Sequence, residues 1–324
     1  MSRRVVVTGG AGFIGATVCR DLARSFDVDV VVVDDLSTGR RANLDGLDVD
    51  LRVGSILDEA LLADAVAGAT SVVHLAAVPS VPRSVVDPRR SHDVNATGTL
   101  AVLDAARAAG AHVLVASSSS VYGPGAELPK HEDMVCRPAS PYAVSKLATE
   151  SYTQAYRSCY DLAATAFRFF NVFGPLQPPE HDYAAVVPSF VSAALRDEPL
   201  VVHGDGEQSR DFTFVDTVAS VLTAAVRRRI SADVPVNLAF GTRTTLNEVI
   251  ALLGALLGRR LQVEHGPSRP GDVRHSQAAN ARLRALLPEV RPVPLEEGLS
   301  RTIAWMETVV PRRAPVTVGV RPGA

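Results

Sequence analysis

Short runs of β-branched residues alternate with helical patterns at the start of the chain. The runs "RVVVTGG" and "VDVVVVDD" enclose a segment in which Ile14, Val18 and Leu22 recur at intervals of four residues. This interval puts side chains on one face of an α-helix, whereas compact runs of valine are typical of strands. The opening segment therefore predicts a β-α-β unit.

The same alternation continues as far as Gly174. The further apolar runs are "VDLRVGS", "SVVHLAA", "AHVLVASSS" and "LAATAFRFFNVFG", and helical patterns separate them after Asp58, from Val94 to Ala109 and from Tyr142 to about Ser158. Strands that are apolar almost throughout belong to a parallel sheet covered by helices on both faces. We therefore predict an α/β fold with a doubly wound parallel sheet.

The regular alternation ends after Gly174. Prolines and polar residues crowd "GPLQPPEHDY", and the shorter patterns that follow predict a smaller mixed α/β lobe. Thr245 and Glu248 form a capping box that marks the start of one helix in this lobe. We predict a sheet domain over residues 1–174, with returns near 205–240, and a smaller lobe mainly over 175–324.

Composition narrows the range of partners. The 324 residues contain 33 Lys+Arg against 35 Asp+Glu, so there is no global basic field for nucleic acid or an anionic membrane. The apolar runs are shorter than the roughly 20 residues of a membrane helix, and the first strand begins near Arg4, which leaves no room for a signal peptide. Cys19, Cys136 and Cys159 show no metal-ligand spacing. We expect a cytoplasmic protein with reduced thiols, no metal and no membrane or nucleic-acid partner.

Three glycines, Gly9, Gly12 and Gly15, lie between the first predicted strand and the first predicted helix. Glycine permits a tight turn and close backbone approach to a pyrophosphate, which the helix N-terminus also attracts. Asp34 ends the next strand about 20 residues on, where a carboxylate accepts hydrogen bonds from the adenosine ribose. The pattern predicts a dinucleotide site. Asp34 favours NAD because it would repel a 2′-phosphate, although Arg40 and the arginine after it leave NADP open.

A tyrosine and a lysine are spaced as a possible proton-transfer pair. Ser140 and Pro141 have the residue types of a helix N-cap and first position, so Tyr142 and Lys146 lie one turn apart on the same helix face. An ammonium close to a phenol favours the phenolate and lowers a pKa that is ordinarily about 10. Tyr142 is therefore a candidate general base for a sugar hydroxyl.

The glycine spacing, "HLAA" from His74 to Ala77, Asn95 and the Tyr142-x-x-x-Lys146 motif together resemble the extended short-chain dehydrogenase/reductase family over essentially the whole chain. The resemblance implies a Rossmann-type domain and a homodimer built from the helices that carry Asn95 and Tyr142. His74 taken by itself is typical of a core or strand-end histidine, and we assign it no catalytic role. Lys146 would also hold the nicotinamide ribose. The implied NAD-binding residues are Gly9, Gly12, Phe13, Ile14, Gly15, Asp34, Ser37, Ser55, Ile56, Leu75, Ala76, Ala77, Tyr142 and Lys146.

Ser118, Ser119 and Ser120 precede a Val-Tyr-Gly tripeptide. At these positions the family's 4,6-dehydratases look like Thr-Asp-Glu, and its UDP-glucuronate decarboxylases typically end in Glu. Serine is a poor general acid for expelling a hydroxyl, so reversible oxidation at carbon 4 is what remains. The sequence therefore resembles the UDP-hexose 4-epimerases, in which the serine matching Ser118 relays a proton to the tyrosine. Ser117 is open to a structural or a functional interpretation.

The resemblance also implies a site for the UDP-sugar. Asn171, Arg210 and Arg269 match diphosphate-binding positions, and Asp272 matches a contact to the uridine ribose. Arginine holds an anion through charge-assisted hydrogen bonds without a metal. The full set of implied substrate-binding residues is Arg83, Ser118, Ser119, Ser120, Asn171, Val187, Val201, His203, Arg210, Arg269, Asp272 and Ser276.

The identity of the sugar stays open at this point. Ser276 is small where glucose-restricted members carry tyrosine, and "SVPRS" and "YAAVVP" resemble the UDP-N-acetylglucosamine 4-epimerases, whereas Arg83 suits the carboxylate of UDP-glucuronate. Ser55 stands where relatives often have an aspartate near the adenine, which predicts weaker NAD binding. The alternatives are a 4-ketoreductase, a 4,6-dehydratase, a UDP-glucuronate decarboxylase and, from another class, a non-catalytic NAD-binding regulatory protein.

Overall fold

The computed structural model describes residues 3–25, 27–125, 127–179, 185–268 and 273–310. The strands are β1 (Arg3–Thr8), β2 (Val28–Asp34), β3 (Val49–Val53), β4 (Ala69–His74), β5 (His112–Ser118), β6 (Ala164–Phe169), β7 (Val172–Phe173), β8 (Leu200–His203), β9 (Ser209–Arg210), β10 (Thr213–Phe214), β11 (Val236–Leu238), β12 (Thr244–Thr245) and β13 (Val263–Gly266). The α-helices are α1 (Phe13–Ser25), α2 (Glu59–Val66), α3 (Val81–Val86), α4 (Pro88–His92), α5 (Gly98–Ala109), α6 (Pro141–Tyr160), α7 (Val186–Leu195), α8 (Val215–Arg228), α9 (Leu246–Leu256), α10 (Ala281–Leu286) and α11 (Leu295–Val309).

Seven parallel strands form the central sheet in the order β11-β6-β5-β4-β1-β2-β3. Val5 to Val7 of β1 and Val30 to Val33 of β2 point alternately to opposite faces and are all buried, since helices cover the sheet on both sides. Helices α1 and α8 pack on one face, and α2, α5 and α6 pack on the other. The predicted Rossmann-type doubly wound sheet is confirmed.

A second apolar core lies outside the sheet and holds the smaller lobe together. Phe173 and Phe214 contact edge to face across the short pair formed by β7 and β10, and residues of α7, α9 and α11 pack around them. Two further short pairs, β8 with β13 and β9 with β12, complete the lobe. The predicted capping box is present, because Thr245 accepts from the backbone of Glu248 while the Glu248 side chain accepts from the backbone of Thr245.

One predicted strand is divided in the structure. The run "LAATAFRFFNVFG" forms β6 in the central sheet and then β7, which leaves that sheet to pair with β10. The division falls at Phe170 and Asn171, so Asn171 lies between the sheet and the lobe. The reason is long-range pairing, which the pattern of apolar residues does not encode.

Candidate active site

A glycine turn joins β1 to α1 beside the point where the strand order reverses, between β1 and β4. Gly9 has φ of +71°, and a Cβ there would lie 2.7 Å from the backbone nitrogen of Ala76. A Cβ at Gly15 would lie 2.1 Å from the carbonyl oxygen of Gly9. Both contacts are with backbone, so only glycine fits, and the first N–H groups of α1 are left for a ligand. The turn is shaped for close approach of a diphosphate.

Asp34 ends β2 next to this turn. Its carboxylate accepts from the backbone nitrogens of Ala11 at 2.9 Å and Leu36 at 2.8 Å. Burial raises the pKa of Asp34, and these two hydrogen bonds oppose that rise. A carboxylate has about four acceptor positions, so Asp34 retains capacity for ribose hydroxyls.

The glycine turn opens into a cavity of about 610 Å³, which we call the first cavity. It extends along the carboxyl ends of the strands to α6, where it meets Tyr142 and Lys146. Every residue predicted to bind NAD lines it: Gly9, Gly12, Phe13, Ile14, Gly15, Asp34, Ser37, Ser55, Ile56, Leu75, Ala76, Ala77, Tyr142 and Lys146.

The start of α6 fixes the position of Tyr142. Ser140 caps the helix by accepting from the backbone nitrogen of Ala143 at 3.1 Å, and Pro141 occupies the first turn, as predicted. The backbone nitrogen of Tyr142, left free at a helix start, donates to the side chain of Ser84 at 3.0 Å. This hydrogen bond attaches α3 to the start of α6.

Ser118 lies at the end of β5 and lines the first cavity together with Tyr142, and its interaction with the phenol acts to lower the pKa of Tyr142. The Oγ of Ser118 also accepts from the backbone nitrogen of Ser120 at 3.2 Å and from the Oγ of Ser120 at 2.9 Å. These donors orient Ser118 towards Tyr142. Neither Ser119 nor Ser120 is among the described residues that line a cavity, because both belong to a 3₁₀ turn over 119–122. The contact of Ser120 is instead with the side chain of Ser118.

The pKa of Tyr142 differs from the sequence-based expectation. Burial raises it, and the interaction with Ser118 partly opposes that rise. The Nζ of Lys146 donates to the carbonyl oxygen of Ala116 at 2.8 Å, and burial lowers the pKa of Lys146 to about 8. The expected lowering of the Tyr142 pKa is therefore wrong for the protein groups taken alone, because desolvation outweighs the interaction with Ser118.

A buried ion pair next to Lys146 was missed from the sequence. Glu150, one turn further along α6, receives two hydrogen bonds of 2.8 Å from Arg168 of β6. Ser117 also donates to Glu150, which gives Ser117 a place in this network. The available signals were a glutamate four residues after Lys146 and an arginine inside an apolar strand.

A second cavity of about 340 Å³ adjoins the first, and Asn171 lines both. Its wall is formed by β8, α7 and the residues around β9. Among the predicted substrate residues, Asn171, Val187, Val201, His203 and Arg210 line it.

The other predicted substrate residues are distributed differently. Arg83 lines the first cavity with Ser118. Ser276 is not among the described residues that line either cavity, and its backbone nitrogen donates to the carbonyl oxygen of Ser209 at 3.0 Å. Arg269 and Asp272 lie outside the described residues.

The first cavity fits NAD on structural grounds. The glycine turn excludes side chains where a diphosphate would lie, Asp34 offers acceptors to a ribose, and Lys146 offers a donor at the far end.

Across the described ranges no cluster of three or more His, Cys, Asp or Glu has the arrangement of a metal site. None of the helices in these ranges combines the length and apolar character needed to span a membrane.

A cavity that accepts a dinucleotide and ends at a serine, tyrosine and lysine places the protein in the class of short-chain dehydrogenase/reductase enzymes. More narrowly, the chain belongs to the NAD dependent epimerase/dehydratase family, whose family model matches residues 5–239.

Individual relatives cover nearly the whole chain. A UDP-glucose 4-epimerase of Mycolicibacterium smegmatis is 37% identical over 309 residues, 93% of this chain and 98% of the relative. The solved UDP-N-acetylglucosamine 4-epimerase of Methanobrevibacter ruminantium M1, in complex with UDP-N-acetylmuramic acid, is 34% identical with a TM-score of 0.90, covering 95% of this chain and 99% of that one. MoeE5, solved with UDP-glucuronic acid and NAD, is 37% identical with a TM-score of 0.83, covering 94% and 99%.

Proposed function

We propose that the protein is an NAD-dependent UDP-sugar 4-epimerase that inverts carbon 4 through a 4-keto intermediate. The observation that carries the proposal is that Ser118, Tyr142 and Lys146 line the same end of a dinucleotide cavity, where Ser118 interacts with the Tyr142 phenol. This pair can move one proton to and from a hydroxyl without supplying an acid strong enough to expel it.

The roles of the residues follow from their contacts. NAD held in the first cavity would supply the acceptor, and afterwards the donor, of the hydride at carbon 4 of the sugar. Tyr142 removes the proton of the 4-hydroxyl, and Ser118 relays it between the sugar oxygen and the phenol. Lys146, held by Ala116, keeps a donor beside the nicotinamide ribose. When the keto sugar turns its other face to the cofactor, the same groups return the proton and the configuration is inverted.

The carboxylates of the first cavity argue against the elimination reactions of the family. Asp34 and Asp35 are the acidic residues among the described ones that line it, and both belong to the adenosine-binding end beside β2. Loss of water at a sugar carbon needs a general acid close to the departing oxygen. Ser118 supplies a hydroxyl there, and Ser119 and Ser120 place no carboxylate at the positions where the dehydratases resemble Asp and Glu, which supports epimerisation over a dehydratase or decarboxylase reaction.

The second cavity is suited to the UDP part of the substrate. Arg210 provides a cation for a diphosphate, and the side chains of Val187, Val201 and His203 provide a partly apolar wall for the base. Because Asn171 lines both cavities, a UDP group in the second cavity would place its sugar next to Tyr142.

Arg83 bears on the choice among UDP-glucose, UDP-N-acetylglucosamine and UDP-glucuronate. Arg83 lines the first cavity, and its neighbour Ser84 accepts a hydrogen bond from the backbone nitrogen of Tyr142. A cation there favours a sugar with a carboxylate. We therefore propose UDP-glucuronate as the preferred substrate, with slower turnover of the neutral sugars.

The test is incubation of the purified protein with each of the three sugars, without added cofactor, while NMR follows the anomeric proton signals. Appearance of the matching galacto epimer at a stable ratio supports redox-neutral epimerisation, and the fastest sugar identifies the preference. A 4-keto-6-deoxy or pentose product, or no conversion of any sugar, would contradict the proposal.

A further inference from the structure

Glu150 and Arg168 form an ion pair inside the protein, close to the catalytic lysine. The two residues are 2% and 3% exposed, and the guanidinium binds the carboxylate through two hydrogen bonds of 2.8 Å. A buried pair of this kind gains little stability over apolar residues of similar size, because both charges lose their hydration. Its presence next to Lys146 therefore calls for a functional reason.

Both members of the pair are fixed in place by further contacts. Ser117 donates to the carboxylate of Glu150, and the guanidinium of Arg168 stacks 4.6 Å from the ring centre of Tyr122 and approaches the sulfur of Cys136 at 3.3 Å. Adjacent residues of β5 thus hold adjacent turns of α6. Ala116 accepts from the Nζ of Lys146, and Ser117 binds Glu150.

The ionisable groups around Lys146 come from several elements. They are Tyr142 and Glu150 on its own helix, His74 of β4, Arg168 of β6, and Arg83 of α3 and Arg90 of α4 on the wall of the same cavity. Burial lowers the pKa of His74 to about 3, so this imidazole is neutral. Among these six groups around Lys146, Glu150 is the one that carries a carboxylate. It lies on the same face of α6 as Lys146, one turn away. Burial lowers the pKa of Lys146, and the charge of Glu150 opposes that lowering.

We propose that Glu150 is a positioning residue that keeps Lys146 in its ammonium form, and that Arg168 and Ser117 hold the Glu150 carboxylate in place for this purpose. The inference rests on the proposed function, in which the ammonium is needed beside the nicotinamide ribose. Loss of the Glu150 charge would then let Lys146 deprotonate at a lower pH, so the alkaline limit of activity would fall.

The sequence permits a direct test, because Lys130 and Lys146 are its two lysines. Protein labelled with ¹³C at the lysine Cε carbons gives two side-chain signals, and a Lys130→Arg variant assigns them. The test variant is Glu150→Met/Arg168→Met, which removes both buried charges and leaves neither partner unpaired. Its Lys146 titration midpoint is expected to fall, because the carboxylate on the neighbouring turn of the same helix is lost. The alkaline limb of the epimerisation rate should fall with it.

The control is Asp197→Asn, which removes a carboxylate from the exposed pair with Arg259 and suits the positive φ of that position. An unchanged Lys146 midpoint in the folded double variant, or an equal shift in the control, overturns the inference.

If the double variant does not fold, Glu150→Asp is the deciding variant, since it keeps both charges and moves the carboxylate away from Lys146. A smaller fall of the midpoint then supports the inference, and an unchanged one overturns it. If no sugar is converted by the wild type while the midpoint still falls, the proposed function fails and the role of Glu150 stands.

Discussion

Replacement of Tyr142 by phenylalanine removes one hydroxyl and keeps the buried ring. The hydroxyl interacts with Ser118, and Ser118 keeps both contacts from Ser120 in the variant. The free energy of unfolding should therefore fall by only about 1 kcal/mol, the net contribution of one hydrogen bond. Loss of a general base costs about 10²–10⁴-fold in rate, which corresponds to about 2.7–5.4 kcal/mol of barrier. The effect on turnover should thus greatly exceed the effect on stability.

The assay compares three proteins by NMR turnover, thermal unfolding and NAD content. Tyr156→Phe is the matched control, because Tyr156 lies on the same helix and its hydroxyl donates to Asp104 at 2.8 Å, away from both cavities. Both variants should retain NAD and lose a similar small amount of stability, and only Tyr142→Phe should lose turnover. Turnover of Tyr142→Phe within about tenfold of the wild type, or an equal loss in Tyr156→Phe, would refute the assignment of Tyr142 as the base.

Three further substitutions test the cavities. Gly15→Ala should yield protein without NAD and with a lower unfolding temperature, because the added Cβ would lie 2.1 Å from the carbonyl oxygen of Gly9; NAD released per chain measures this, and wild-type retention would contradict it. Asp34→Asn replaces one carboxylate oxygen, which accepts from a backbone N–H, by an amide group that donates. Calorimetry should then show the free energy of NAD binding weakened by about 1–3 kcal/mol. An unchanged affinity would count against a contact between Asp34 and the ribose. Arg83→Ala should raise the KM for UDP-glucuronate much more than that for UDP-glucose, whereas Arg89→Ala, at an exposed position of α4, should alter neither; equal effects on both sugars would remove the case for a carboxylate contact.

Features set by local sequence could be predicted. The turn at Gly9, Gly12 and Gly15, the N-cap at Ser140 and the capping box at Thr245 each depend on residues a few positions apart. The alternation of strands and helices likewise predicted the central sheet, because every strand buried on both faces has the same apolar composition.

Features set by distant residues could not be predicted in this way. The pair of Glu150 and Arg168 joins two elements through the packing of α6 on β6, and the division of the strand at Asn171 depends on pairing with β10. The direction of the pKa shift at Tyr142 depends on burial, which a sequence pattern does not measure. A homodimer formed through the helices of Asn95 and Tyr142 stays a prediction.

The burial of Lys130 and Lys146 has a consequence for the outer surface of the protein. They are 3% and 5% exposed, so the exposed cationic side chains are guanidinium and imidazole groups. Guanidinium keeps its charge up to a pH of about 12 or above. Between about pH 8 and pH 11 a lysine-rich protein loses much of its positive charge, but here the guanidinium charge stays constant. Colloidal solubility and electrophoretic mobility should therefore change little with lysine ionisation over the range in which the catalytic ammonium titrates.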